Sequence, residues 1–145
     1  MPSREHEPEP LLRISCFQVL IGDRQFGFAE VGQLTSETGL DPSPDRPVHR
    51  FATVVLRRAL TTSTELYDWR RLIVDGKDDR RDVTIHQLSA PGGKIVNSWR
   101  LMRAWPCRWS GSRFDAMSND IAYEELELSF DDLVWLEHKP SITRG

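Results

Sequence analysis

Apolar and polar residues alternate in short runs along most of this chain, and one stretch breaks the rhythm. Over residues 51–58, Val54 and Leu56 alternate with Val55 and Arg57, the period of two expected of a half-buried strand. From Glu65 the period changes: Leu66, Trp69 and Ile73 fall at i, i+3 and i+7 with Leu72 beside them, while Asp68, Arg70 and Arg71 face elsewhere. That spacing predicts an amphipathic helix that packs on something. Thr62 and Glu65 have the S/T-x-x-E spacing of a capping box, which predicts a helix start near Ser63. Gly76 supplies a left-handed stop, and residues 77–82 are too polar to continue a buried face.

The period of two recurs on both sides of this helix. It predicts strands over 11–21, with Phe17, Val19 and Ile21 on one face and Cys16, Gln18 and Leu20 on the other, and over 25–31, where Phe26 and Phe28 alternate with Gly27 and Ala29. Gly22-Asp23 joins them as a hairpin turn. Residues 35–50, rich in proline and nearly free of apolar side chains, predict a loop or a poorly formed hairpin. Val83 and Ile85 against Thr84 and His86 give a strand over 82–88, and the turn at 90–94 reverses the chain into 95–105. Pro106, flanked by Trp105 and Trp109, predicts an edge, bend or bulge. After a loop at 111–119, residues 120–130 place Ala122, Leu126, Leu128 and Phe130 on one face and Tyr123, Glu125 and Glu127 on the other. Trp135 and Leu136 are expected to cover an edge of the sheet. About seven strands and one helix amount to a mainly β fold, an antiparallel sandwich or barrel with one flanking α-helix. The predicted organisation is a disordered arm at 1–10, one β domain over 11–138 and a flexible tail at 139–145.

Composition narrows the class. At 145 residues, 39% hydrophobic and 28% charged, the chain can bury one real core. A net charge of −3 argues against a general binder of nucleic acid or membranes, which usually carries a basic excess. Cys16 and Cys107 form no CxxC and suit two thiols in a reducing compartment. Residues 1–10 lack the apolar core of a secretory signal and no window reaches the length of a membrane span, so the chain is expected to fold in the cytoplasm.

Candidate chemistry is sparse, and no cofactor is expected. His6, His49, His86 and His138 stand singly, without a second ligand type at metal-binding spacing. No GxSxG frame positions a nucleophile. Asp131-Asp132 and Glu124-Glu125 are adjacent on strands, so each pair points to opposite faces and suits solvated charge better than acid–base work. The Ala-Pro-Gly-Gly-Lys turn joins two strands, whereas a phosphate-cradling loop joins a strand to a helix. Arg57-Arg58, Arg70-Arg71 and Arg80-Arg81, with Trp69 near them, allow an alternative reading as a small nucleic-acid-binding β module. Asp68, Asp75, Asp78, Asp79 and Asp82 in the same region favour ion pairing within or between subunits.

These residues carry a resemblance. FQVLIGDRQFGFAEVGQL resembles the opening of the tail tube proteins of contractile phages and phage-tail-like injection systems: Phe28, Glu30, Val31 and Leu34 match an F-x-E-V-x-G-L motif, with Gly32-Gln33 where the family has a residue and then Gly. VVLRRALT is similar to the family's ITLKRGLT with Ala59 in place of Gly, and ELYDWRR and VDGK resemble its ELWDWR and VDGK. Arg80-Arg81, Ser98-Trp99, Ala104-Trp105-Pro106, the run 118–122 and Glu125-Leu126-Glu127-Leu128 follow in the family's order. The likeness spans residues 17–133, and its most specific combination is Asp68-Trp69-Arg70 followed by Ala104-Trp105-Pro106.

The resemblance implies a tail-tube-like fold, shared with type VI secretion tubes, and a structural, non-enzymatic subunit. It implies a hexameric ring that stacks into an inner tube, beside neighbouring tube, baseplate or cap, and sheath proteins, with DNA or toxin cargo in the lumen and no membrane. Between Leu34 and Val54 the chain is shorter than the family, where a long channel hairpin is usual, which points to a specialised ring at the baseplate or cap. The interface candidates are Glu30, Arg57, Arg58, Asp68, Arg70 and Arg71, together with Asp79, Arg80, Arg81, Trp105, Glu125 and Glu127. Leu66, Trp69 and Ile73 are the helix-packing set.

Overall fold

The computed structural model describes residues 15–35, 38–40, 47–49, 52–111 and 122–137. The expected N-terminal arm, the C-terminal tail and nearly all of the predicted loop at 111–119 lie outside them. In chain order the elements are β1 (Phe17–Ile21), β2 (Arg24–Phe28), β3 (Glu30–Val31), β4 (Thr38–Leu40), β5 (Pro47–His49), β6 (Ala52–Ala59), α1 (Glu65–Val74), β7 (Arg81–Leu88), β8 (Ile95–Gly111), β9 (Tyr123–Phe130) and β10 (Asp132–Leu136).

The main sheet is antiparallel and follows the order β2-β1-β7-β8-β9-β6-β3, with β10 added on β8. Its two ends are one interrupted strand. β2 pairs with β1, the chain breaks at Ala29, and β3 pairs with β6, where Ala29 N donates to Arg57 O at 2.9 Å and Gly32 N to Val55 O at 2.8 Å. The return strand expected over 25–31 thus changes partners half-way, which rolls the sheet closed and removes two edges. The core fills the interior, with Val19, Ile21, Phe26, Phe28, Val54, Leu56, Val83, Ile85, Leu101, Leu126, Leu128 and Phe130 all buried. These are the inward faces that the period of two predicts.

β8 is shared by both halves of the sheet. Its first part pairs with β7 and β10, its second part with β9. The bend between them falls at Arg103, which holds φ +53°, and the register shifts again between Pro106 and Arg108. Pro106 therefore bulges a continuous strand rather than ending it. Trp135 and Leu136 belong to β10 and cover the side of β8 that β9 does not reach, as expected, and in doing so form a new edge themselves. Residues 38–40 and 47–49 pair antiparallel, so the proline-rich segment does make a hairpin, with strands of three residues each.

Helix α1 packs on β8. Leu66 and Trp69 are fully buried and Ile73 is half-buried, each full burial being worth about 1.5–3 kcal/mol. Leu72 is exposed, because six residues at about 100° each place it roughly 120° around the helix from Leu66. The predicted capping box does not form. The N-cap is Thr64 and makes no side-chain cap bond, while the Glu65 carboxylate turns to Arg24 of β2, whose Nε donates to it at 3.1 Å. A charge-assisted bond to Arg outcompetes one to a backbone N–H. The stop is as the sequence predicts: Gly76 at φ +84° donates to Ile73 O at 3.0 Å, and Lys77 N donates to Leu72 O at 2.9 Å, a paired closure of the last turn. Gly76→Ala is expected to destabilise the fold by about 1–2 kcal/mol, the cost of a Cβ in the left-handed region, measured by urea unfolding.

Candidate functional site

On the outer face of the sheet a charged row crosses three strands. Arg57 of β6 lies opposite Glu30 of β3 and Glu125 of β9. Its Nε donates to Glu125 Oε1 at 2.9 Å, its Nη1 stands 3.7 Å from Glu30 Oε2, and its guanidinium sits 4.3 Å over the Tyr123 ring. The Glu125 carboxylate raises the Arg57 pKa further above its ordinary value. All three side chains are part-exposed, so the row adds little to folding and remains available as a surface.

One residue along the same strands the charge turns inward. Arg58 and Glu124 lie opposite each other with side chains 1% and 3% exposed, and Arg58 Nε donates to Glu124 Oε1 at 2.6 Å. Trp109 Nε1 donates to the other carboxylate oxygen at 2.8 Å, and the guanidinium stands 5.2 Å from the Phe26 ring and 5.6 Å from that of Phe28. Two expectations are corrected here. Arg58 is enclosed within its own subunit and presents nothing to a neighbour, and Glu124 is the anchor of a buried pair, not solvated charge. The signal was in the parity: Arg58 continues the inward face of Val54 and Leu56, and Glu124 that of Leu126 and Leu128.

The helix exit is closed by a second set of charges. Trp69 Nε1 donates to Asp79 O at 2.8 Å, while Arg81 donates to both Asp79 carboxylate oxygens at 3.0 and 2.8 Å and lies 4.9 Å over the Trp69 ring. The Arg81 hydrogen bonds hold the Asp79 carboxyl below the usual carboxylate range. Arg80 and Arg103 both reach Asp131 at 3.3 Å, and Arg103 N donates to Asp82 Oδ1 at 3.1 Å, pinning the bend of β8. On the helix, Arg70 Nη1 donates to Pro106 O at 3.1 Å, Arg71 meets Asp75 at 3.2 Å, and Thr64 Oγ1 donates to Asp68 at 2.9 Å. Asp131, Arg103 and the Arg24–Glu65 pair were not among the interface candidates, because each contact spans elements whose proximity no local pattern encodes.

All three arginine pairs are thus engaged within the chain, so they do not form a free guanidinium stripe for nucleic acid. Of the other interface candidates, Trp105 is half-buried, and its Nε1 meets no acceptor among the described residues. Glu127 accepts from Cys107 Sγ at 3.4 Å. Among the described residues no helix is long and apolar enough to cross a membrane.

The model of the T4-like virus tail tube protein gp19 family matches residues 46–134, from the second strand of the small hairpin into β10. The chain belongs to the T4-like virus tail tube protein family. No curated protein matches it. Among solved structures, this tail tube family member is similar to a chain of the PVC sheath–tube complex of an extracellular contractile injection system in the extended state. The identity is 27%, the TM-score 0.66, and the match covers 90% of this chain and 93% of that one. It is also similar to a chain of the PVC sheath/tube terminator, at 26% identity and TM-score 0.63, covering 91% of this chain and 99% of that one. Hcp1 from Flavobacterium johnsoniae shares the fold at 17% identity and TM-score 0.61, covering 83% of this chain and 94% of that one. Among the described residues of this family member, the Glu30–Arg57–Glu125 row, one flank of the helix and the outer edge of β10 stand at the surface.

Two measurements test this account of the side chains. Arg58→Met or Glu124→Leu alone leaves one buried charge unpaired and is expected to cost about 3–5 kcal/mol in urea unfolding, whereas the double variant should lose far less than the sum. Burial, reinforced by Glu127, pushes the Cys107 thiol up to about 11, so alkylation by iodoacetamide at pH 8 should be slow and accelerate only toward pH 11. Glu127→Gln should shift that profile to lower pH.

Proposed function

We propose that this chain is a ring-forming structural subunit of the inner tube of a contractile phage tail or phage-tail-like injection system. Copies synthesised in the cytoplasm close into a hexameric ring around a lumen. The ring meets neighbouring tube, baseplate or cap, and sheath proteins, and DNA or a toxin passes through it. The observation that carries this reading is the family match over 46–134, joined to whole-chain similarity with subunits of a sheath–tube complex and a tube terminator. A closed sheet whose three arginine pairs are already engaged internally fits a structural part, since these charges hold its own fold.

Within that reading, the chain forms a specialised ring near the baseplate or cap. The short β4–β5 hairpin supports this, because strands of three residues each offer little to a continuous channel wall. Sedimentation velocity and negative-stain microscopy test the proposal. Rings with an open lumen are expected, and they should bind the end of a cognate tube without stacking on one another. A strictly monomeric species at high concentration that binds no tube or baseplate partner would overturn it, and long self-stacked tubes would overturn the terminal position alone.

A further inference from the structure

β10 extends the sheet beyond the core it serves. The directly opposed residues Phe26, Val19, Ile85, Trp99 and Trp135 form one row across β2, β1, β7, β8 and β10. Along it burial falls away: the first three are enclosed, Trp99 is half-buried, and Trp135 is 67% exposed. The two indoles lie 5.7 Å apart at 38°, so the inward apolar face continues past the closed sheet into solvent. β8 is the only partner of β10 among the described residues, leaving the outer backbone edge open.

A second apolar patch lies on a different element. Tyr67 and Val74 fall at i and i+7 on one flank of α1 and are 41% and 52% exposed. Tyr67 meets Trp109 of β8 edge to face, with ring centroids 5.3 Å apart. Trp99 and Trp109 stand on opposite sides of the bend at Arg103, at most about 33 Å apart along the strand at roughly 3.3 Å per residue. Exposed aromatic patches of this kind mark interaction surfaces. Two separate patches on one chain are what a head-to-tail contact requires, and such contacts generate rings when the rotation closes.

Charge favours the same pairing. Exposed Asp132 and Glu137 bracket β10 with no ion-pair partner among the described residues. Beside the helix patch stand Lys77, also without such a partner, and Arg71, whose link to Asp75 is half-exposed and weak, while the exposed Asp78 that follows lies 3.6 Å from Arg80.

We infer that the Trp99–Trp135 overhang of one copy seats on the Tyr67–Val74 flank of the helix in the adjacent copy of the same ring. The inference rests on the ring reading and adds to it the surface that closes the ring. Trp135→Glu and Val74→Glu change exposed side chains and should keep the native circular dichroism spectrum. Each is expected to raise the concentration needed for ring formation about tenfold or more. Trp135→Glu combined with Val74→Lys places opposite charges at the contact and should regain part of that loss. Rings undiminished in either single variant, loss of stacking with rings intact, or no regain in the combined variant would overturn the inference. A wild-type chain that forms no rings would instead count against the ring reading itself.

Discussion

The buried pair of Arg58 and Glu124 is the constraint on which this closed sheet depends. Two charges sit among Phe26, Phe28 and Trp109, at a depth where each alone would cost several kcal/mol. They meet only when β6 and β9 align as observed, with Arg58 opposite Glu124 and Arg57 opposite Glu125. A slip of β6 by one residue would turn Arg58 outward and bring Arg57 and the rest of the polar face of β6 into the core, leaving Glu124 buried without its partner. Packing of Val54, Leu56, Leu126 and Leu128 favours the same register, but it tolerates small errors that a buried ion pair does not. The pair therefore acts on the uniqueness of the fold more than on its depth of stability.

The second organising element is β8. One strand serves both halves of the sheet because it bends at Arg103, where a non-glycine residue in the left-handed region is held by Asp131 and Asp82. Before the bend it carries β10 away from the core; after it, it receives the helix and the Trp109 bond to Glu124. The same bend that lets the sheet close thus leaves an overhang at one end. Closure removes the edges at β2 and β3 and leaves the one at β10.

How the charges are disposed follows from this geometry. The outer row of Glu30, Arg57 and Glu125 and the Asp79–Arg81 clasp find their partners within the subunit, while Trp135, Val74 and Tyr67 stay uncovered. The chain is similar to chains of a sheath–tube complex and of a tube terminator, consistent with a structural subunit.

The sequence by itself determined the periodicities, and with them the strands, the helix, its glycine stop and most of the core, since these depend only on which side chains share a face. It also held Arg58 and Glu124 on the inward parity, where a charged residue on each of two apolar faces is a sign of a buried pair. Only the tertiary structure decided the rest: that β2 and β3 change partners at Ala29, that Glu65 leaves its capping box for Arg24, that Pro106 bulges a strand instead of ending it, and that Trp135 overhangs the core. Each of these turns on contacts between distant segments, whose energies exceed or redirect the local preference and whose partners no local spacing names.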